Sequence, residues 1–128
     1  MTLVLDSGGV SLLARSRARL AALRDRGEWP PVVPSVVLAE ALTGDHRRDF
    51  HENRLLRLCL VEPVDEDLSR RAGLLRAAAG GARSPSAVDA IVIAEADRIG
   101  GAIVLTSDPK DLGALARHTA NPVRIATG

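Results

Sequence analysis

Four acidic residues carry the chemistry that this chain can do. Asp6 closes the apolar stretch Leu3-Val4-Leu5, and Glu40 interrupts Val36-Val37-Leu38-Ala39-Glu40-Ala41-Leu42. Asp89 opens Asp89-Ala90-Ile91-Val92-Ile93-Ala94, and Asp108 follows Val104-Leu105-Thr106-Ser107. Carboxylates drawn into one crevice repel one another, and some protonate unless a cation neutralises them. Hard oxygen donors with no histidine nearby suit Mg2+ or Mn2+ rather than zinc. His46 and His51 are five positions apart, a poor match for one helix face, and His118 is remote, so the histidines are expected on the surface.

Each acid also has a purely structural explanation. Asp6 before Ser7-Gly8-Gly9 could form an Asx-turn. Asp108 could cap a helix that has Pro109 at its first position, with Asp111 returning a capping interaction. Asp89 stands three residues after Ser86, the spacing of a capping pair. Glu40 has the weakest such explanation, because a carboxylate among apolar neighbours wants a partner.

The elements around these residues decide between the two accounts. Thr2-Leu3-Val4-Leu5 reads as a buried strand, followed by glycines that permit a tight turn and a helix from about Val10 to Arg26, with Gly27 as its stop. Pro30-Pro31 breaks the chain before a short strand at Val32-Val33. Ser35 can cap a helix bearing Glu40, and Asp45 is expected to start another reaching Leu58. Leu60 to Val64 reads as a third strand, placed at the sheet margin by Pro63, which cannot donate to a central ladder. A helix from Asp65 shows Leu68, Ala72, Leu75 and Ala79 as one buried stripe and ends at Gly80-Gly81. Ser84-Pro85-Ser86 begins the helix bearing Asp89, and Ala102 to Leu105 is the fourth strand. Pro109 to Arg117 is a further helix, and Val123-Arg124-Ile125 a last strand.

Strands alternating with helices through short connections predict an α/β fold, a three-layer α/β/α sandwich around a mostly parallel sheet. Ligands in such sheets bind beyond the carboxyl ends of the strands, and that is the edge where all four acids are expected.

The 128 residues suit a single domain over 1–128. With 46% hydrophobic and 26% charged residues, the chain is neither disordered nor membrane-like in composition. No apolar run approaches the roughly 18 residues that a spanning helix needs, and the N-terminus lacks a basic start, so a cytoplasmic protein is expected. Cys59 is the one cysteine, which excludes an internal disulfide and reads as a small buried hydrophobe. A net charge of +1 does not announce a nucleic-acid binder, although Arg47, Arg48, Arg54 and Arg57 fall close together. Trp29 and Phe50 are the only aromatic residues, too few for a platform of stacked bases. Thr106-Ser107 could orient a water or a phosphate oxygen. Glu95 could face the acidic rim or pair with Arg98.

Leu3-Val4-Leu5-Asp6-Ser7, Val37-Leu38-Ala39-Glu40, Asp89-Ala90-Ile91-Val92-Ile93-Ala94 and Leu105-Thr106-Ser107-Asp108, in this order and spacing, resemble the PIN domain. More narrowly, they resemble the VapC toxins of bacterial toxin–antitoxin pairs. The resemblance spans essentially the full length. It implies a five-stranded parallel sheet and an Mg2+- or Mn2+-dependent endoribonuclease, with Asp6, Glu40, Asp89 and Asp108 matching the family's acidic quartet. It also implies an RNA substrate (tRNA, rRNA or mRNA), an antitoxin that folds across the crevice, and a homodimer or toxin–antitoxin hetero-oligomer. The chemistry would be metal-assisted hydrolysis of a phosphodiester with one ion or two. Asp6, Asp89 and Asp108 would be ligands, and Glu40 would bind through a water or position the attacking one. The alternative is a catalytically silent PIN-like module that binds RNA or a protein partner. A flap-cleaving DNA nuclease would need elements for which this chain lacks length. An aspartyl-phosphate phosphatase would need a second acid where Gly8 stands.

Overall fold

Leu3, Val4 and Leu5 are almost wholly buried, which is what a strand covered on both faces of a parallel sheet requires. They belong to β1 (Thr2–Leu5), the central strand in a computed structural model that describes residues 1–80 and 85–128. Around it lie β2 (Val32–Pro34), β3 (Leu60–Glu62), β4 (Ala102–Thr106) and β5 (Val123–Thr127) in the order β3-β2-β1-β4-β5. Every pairing is parallel, as expected, and β3 forms the margin, ending just before Pro63.

The chain steps from β1 to β2 to β3 in one direction and then crosses back to β4 and β5. Right-handed connections therefore place the helices before β3 on one face and those after it on the other. The first group is α1 (Ser7–Ala14), α2 (Arg17–Asp25), α3 (Leu38–Ala41) and α4 (Phe50–Leu56); the second is α5 (Glu66–Ala79), α6 (Ala87–Arg98) and α7 (Pro109–Ala116). Packing follows this division: α1 touches α2, α3 and α4, while α5, α6 and α7 touch one another. The α/β/α sandwich read from the sequence is the fold. Between β1 and β4 the connections part to opposite faces, and this switch point opens a crevice at the carboxyl edge.

Three helices differ from expectation. The predicted helix Val10–Arg26 is two, because Ser16 adopts an extended backbone and its hydroxyl accepts the Arg19 N–H at 3.3 Å, starting α2 afresh. The segment after Ser35 is a 3-10 turn (Ser35–Val37) leading into the short α3. The helix expected from Asp45 begins only at Phe50, since the Asp45 carboxylate accepts the Arg47 N–H at 2.9 Å and draws the backbone into a turn. Ser86 caps α6 through the N–H of Asp89 as read, and Asp65, where a helix start was expected, caps α5 through the N–H of Leu68. The Gly81 and Ser84 parts of the expected boundaries lie outside the described residues.

Gly8 and Gly9 do not make a turn; they form the first turn of α1 and let it lie directly on the end of β4. A Cβ on Gly8 would stand 2.8 Å from the Ser107 backbone nitrogen, and one on Gly9 would overlap the Leu105 carbonyl oxygen. Gly9→Ala is therefore expected to cost about 1–3 kcal/mol through overpacking. Gly73→Ala, on an exposed stretch of α5 with open space around it, should stabilise by about 0.4–1 kcal/mol. Urea unfolding of the two variants checks the contrast, and equal effects would show that α1 can shift away from β4.

Candidate functional site

Asp6 is built into the switch point by strand register. Leu5 pairs with Leu105 across β1 and β4, so the next step brings Asp6 opposite Thr106. The Thr106 hydroxyl donates to Asp6 Oδ2 at 2.5 Å, while Asp6 Oδ1 accepts the Gly9 N–H at 2.7 Å and caps α1. Asp6 is thus 8% exposed with both oxygens engaged once, and a carboxylate has about four lone-pair sites, so each oxygen can accept again. The structural role and the chemical one coexist at this residue.

Thr106 also links Asp6 to Asp108, because its hydroxyl oxygen accepts the Asp108 backbone N–H at 3.0 Å. Asp108 precedes α7, but its side chain makes no capping bond there, which leaves the carboxylate exposed at the rim. The capping role that would have explained Asp108 without chemistry is absent.

Asp89 reports that the acids converge. Burial at the start of α6 lifts its carboxyl above the usual range, and the negative charges of Asp6, Glu40 and Asp111 add to that lift; a hydrogen bond with Ser86 offsets it only in part. Asp6 and Glu40 therefore lie near enough for their charges to act on Asp89, from the end of the first strand and from α3. Asp111 joins them. It had been assigned to capping, although its spacing of three from Asp108 on a helix was the available signal.

The remaining acids find partners elsewhere. Glu95 is buried and held at 2.6 Å by Arg98, which also reaches Asp65, so it belongs to an ion-pair network and not to the rim. Asp49 is 4% exposed and was not singled out from the sequence. Its carboxylate accepts the N–H of Thr43, the hydroxyl of Thr43 and the N–H of Gly44 at 2.9–3.0 Å, clasping the loop that follows α3. Glu52, also missed, is buried on α4 beside Arg15. Arg47, Arg48, Arg54 and Arg57 are exposed, as are His46, His51 and His118. Cys59 is packed against the core, where burial pushes its thiol up to about 11 and keeps it unreactive.

Among the described residues no three histidine, cysteine or carboxylate side chains form a closed cage for an ion. The donor set fits a different arrangement. Mg2+ is commonly held by one or two carboxylates, with waters and substrate phosphates completing the shell. Carboxylates near one another, all oxygen donors and with Glu40 lining an open hollow, suit that demand. The hollow, of about 440 Å³, is lined by Ser7, Ser11, Arg15, Glu40 and Ser107 among others.

The fold and the site together define a five-stranded parallel α/β domain with an acidic crevice where the chain changes direction. The PIN domain family model matches residues 4–117, and the chain belongs to the PIN domain family. Two solved structures share the architecture. FitAB bound to an IR36 DNA fragment aligns with a TM-score of 0.64 at 20% identity, covering 98% of this chain and 94% of that one. FitAcB from Neisseria gonorrhoeae aligns at 0.63 and 19% identity, covering 96% of each chain. At such identity the likeness is one of fold. No curated protein matches the sequence closely enough to count as a relative. Among the described residues no helix is long and apolar enough to cross a membrane.

The Asp49 clasp has a pH signature. Burial alone would raise its carboxyl, but the hydrogen bonds from Thr43 and Gly44 and the nearby His46 outweigh it and hold it below the usual 3.8. A depressed folded value contributes stability that is present above the unfolded value and is lost as pH falls through the folded one. Asp49→Ala should lower the melting temperature at pH 7, and the gap from the parent should narrow below about pH 3.8. Thermal unfolding at pH 7 and pH 3 measures it; a gap independent of pH would mean that the charge is not what the loop uses.

Proposed function

We propose that this protein is a metal-dependent endoribonuclease and the toxin of a toxin–antitoxin pair. The observation that carries this reading is the gathering of Asp6, Glu40 and Asp111 near the partly buried Asp89, on which their charges act, in a PIN domain. Charges gathered against their own repulsion fit a site that a cation completes. Asp6, Asp89 and Asp108 would hold Mg2+ or Mn2+, which when bound supplies a lowered pKa for water and charge neutralisation at the phosphate.

The protein's own groups have separable tasks. Thr106 and the Gly9 N–H fix the orientation of the Asp6 carboxylate, so that its free lone pairs face one direction. Glu40, exposed and lining the hollow, would accept a proton from the attacking water or orient it. The substrate is RNA, whose single-stranded segments present the phosphodiester without the bulk of a duplex. The partner is a small antitoxin that covers the crevice, and the likeness to FitAB is in keeping with a toxin of this kind.

Asp6→Asn should leave the circular dichroism spectrum unchanged and lower RNA cleavage by about 100-fold or more, since even loss of an outer partner costs 10- to 100-fold. The assay uses purified protein freed of any antitoxin, with Mg2+ or Mn2+. Undiminished cutting by the variant defeats the assignment of Asp6. Absence of cutting by the parent favours a module that binds RNA or a partner. Thr106→Val removes the hydroxyl that orients Asp6 and is expected to lower cleavage by about 10- to 100-fold, with weaker metal affinity measured as a higher half-saturating Mg2+ concentration.

A further inference from the structure

A crevice walled by carboxylates repels the polyanion it is meant to cut, so the strand must be held by cations beside the crevice and not within it. Arg15 occupies that place. It terminates α1, the helix whose other end is capped by Asp6, so that about 12 Å of helix separates the two at 1.5 Å per residue. Its side chain is 65% exposed and lines the hollow shared with Glu40, Ser7 and Ser107. It also lines an adjoining hollow with Arg17, His51 and Arg54, so a cationic track leads away from the acids across α1, α2 and α4.

What distinguishes Arg15 from other exposed arginines is Glu52 behind it. The Glu52 side chain is 5% exposed, its Oε1 lies 3.6 Å from the Arg15 guanidinium, and its Oε2 is buried without a hydrogen-bond partner among the described residues. A carboxylate buried with one oxygen unsatisfied is costly. Its field acts on Arg15 at a separation too long for a hydrogen bond, which leaves the five donors of the guanidinium free. Arg15 makes no hydrogen bond among the described residues. An arginine anchored from behind and open in front loses less freedom on meeting a ligand than an unrestrained one.

We propose that Arg15 binds a backbone phosphate of the RNA strand, one that flanks the scissile bond, with buried Glu52 as its positioning residue. The proposal rests on the ribonuclease reading above and extends it to how the strand is held. The hydroxyls of Ser7, Ser11 and Ser107 share the hollow with Arg15, which favours a sugar-phosphate chain over an apolar protein segment.

The test measures binding apart from cleavage. The full-length protein, freed of any antitoxin, is titrated with a fluorescein-labelled single-stranded RNA in EDTA across a series of salt concentrations. Arg15→Ala should weaken binding about tenfold and reduce the slope of log affinity against log salt by about 0.7, the value for one lost phosphate contact on a single strand. Arg15→Lys should keep the slope, and it supplies the comparison if Arg15→Ala does not fold. Glu52→Gln should change affinity in the parent but not in the Arg15→Ala background; the same change in both would mark Glu52 as structural only. Unchanged affinity and slope in Arg15→Ala overturn the proposal and leave Arg15 to an acidic protein segment, even if the parent cuts RNA and Asp6→Asn does not. If the parent cuts nothing, the ribonuclease reading falls, and the titration still decides whether Arg15 meets phosphate.

Discussion

A single hydroxyl bridges the carboxylate that follows β1 and the backbone that follows β4. Thr106 donates to Asp6 across 100 positions of sequence and accepts the backbone N–H of Asp108 with the same oxygen. That contact exists because β1 and β4 run parallel and in register, and the register exists because both strands are apolar on each side and buried between two helix layers. Once β1 and β4 are neighbours while β2 and β5 lie outward of them, the connections must part, and the crevice opens at their ends. The site is a consequence of strand order before it is a consequence of any acid.

The carboxylates of this fold sort into two electrostatic conditions. Asp49, Asp65 and Glu95 are answered by donors of the protein: the Thr43–Gly44 loop, the Leu68 N–H and Arg98. These contacts hold loops and helix starts in place. Asp89 meets one hydroxyl donor, Ser86, and its carboxyl is raised first by burial and further by the negative charges of Asp6, Glu40 and Asp111. A fold that satisfies some acids so thoroughly, and gathers others against repulsion, separates structural from chemical roles by environment and not by residue type.

The strands and their order of appearance were legible because parallel strands are nearly unbroken apolar runs, and Asp6, directly after one, has only one edge to occupy; Glu40 and Asp89 could be placed only through the helices that carry them. Asp108 was legible in position but not in behaviour: its sequence reads as a helix cap, and the cap is not made. The break at Ser16 was hidden because Leu20 and Leu23 continue the apolar recurrence of Val10 and Leu13 across it, and a serine's choice to cap depends on a backbone angle that spacing does not encode. Asp49 and Glu52 were hidden for another reason. Set among Arg47, Arg48 and Arg54, they resemble a solvated charged face, and only the Thr43–Gly44 loop around Asp49 and the packing of α4 on α1 at Glu52 turn them inward.

Gly8 and Gly9 carry no functional group, yet the seat they provide for α1 sets the distance between Asp6 and its hydroxyl partner on the neighbouring strand. Any of the other side chains at either position would lever the helix outward and part those two residues while leaving both chemically intact. Tolerance to mutation in this chain is consequently uneven in a way that a map of reactive groups would miss: the narrowest allowance falls on two residues whose contribution is the atoms they lack.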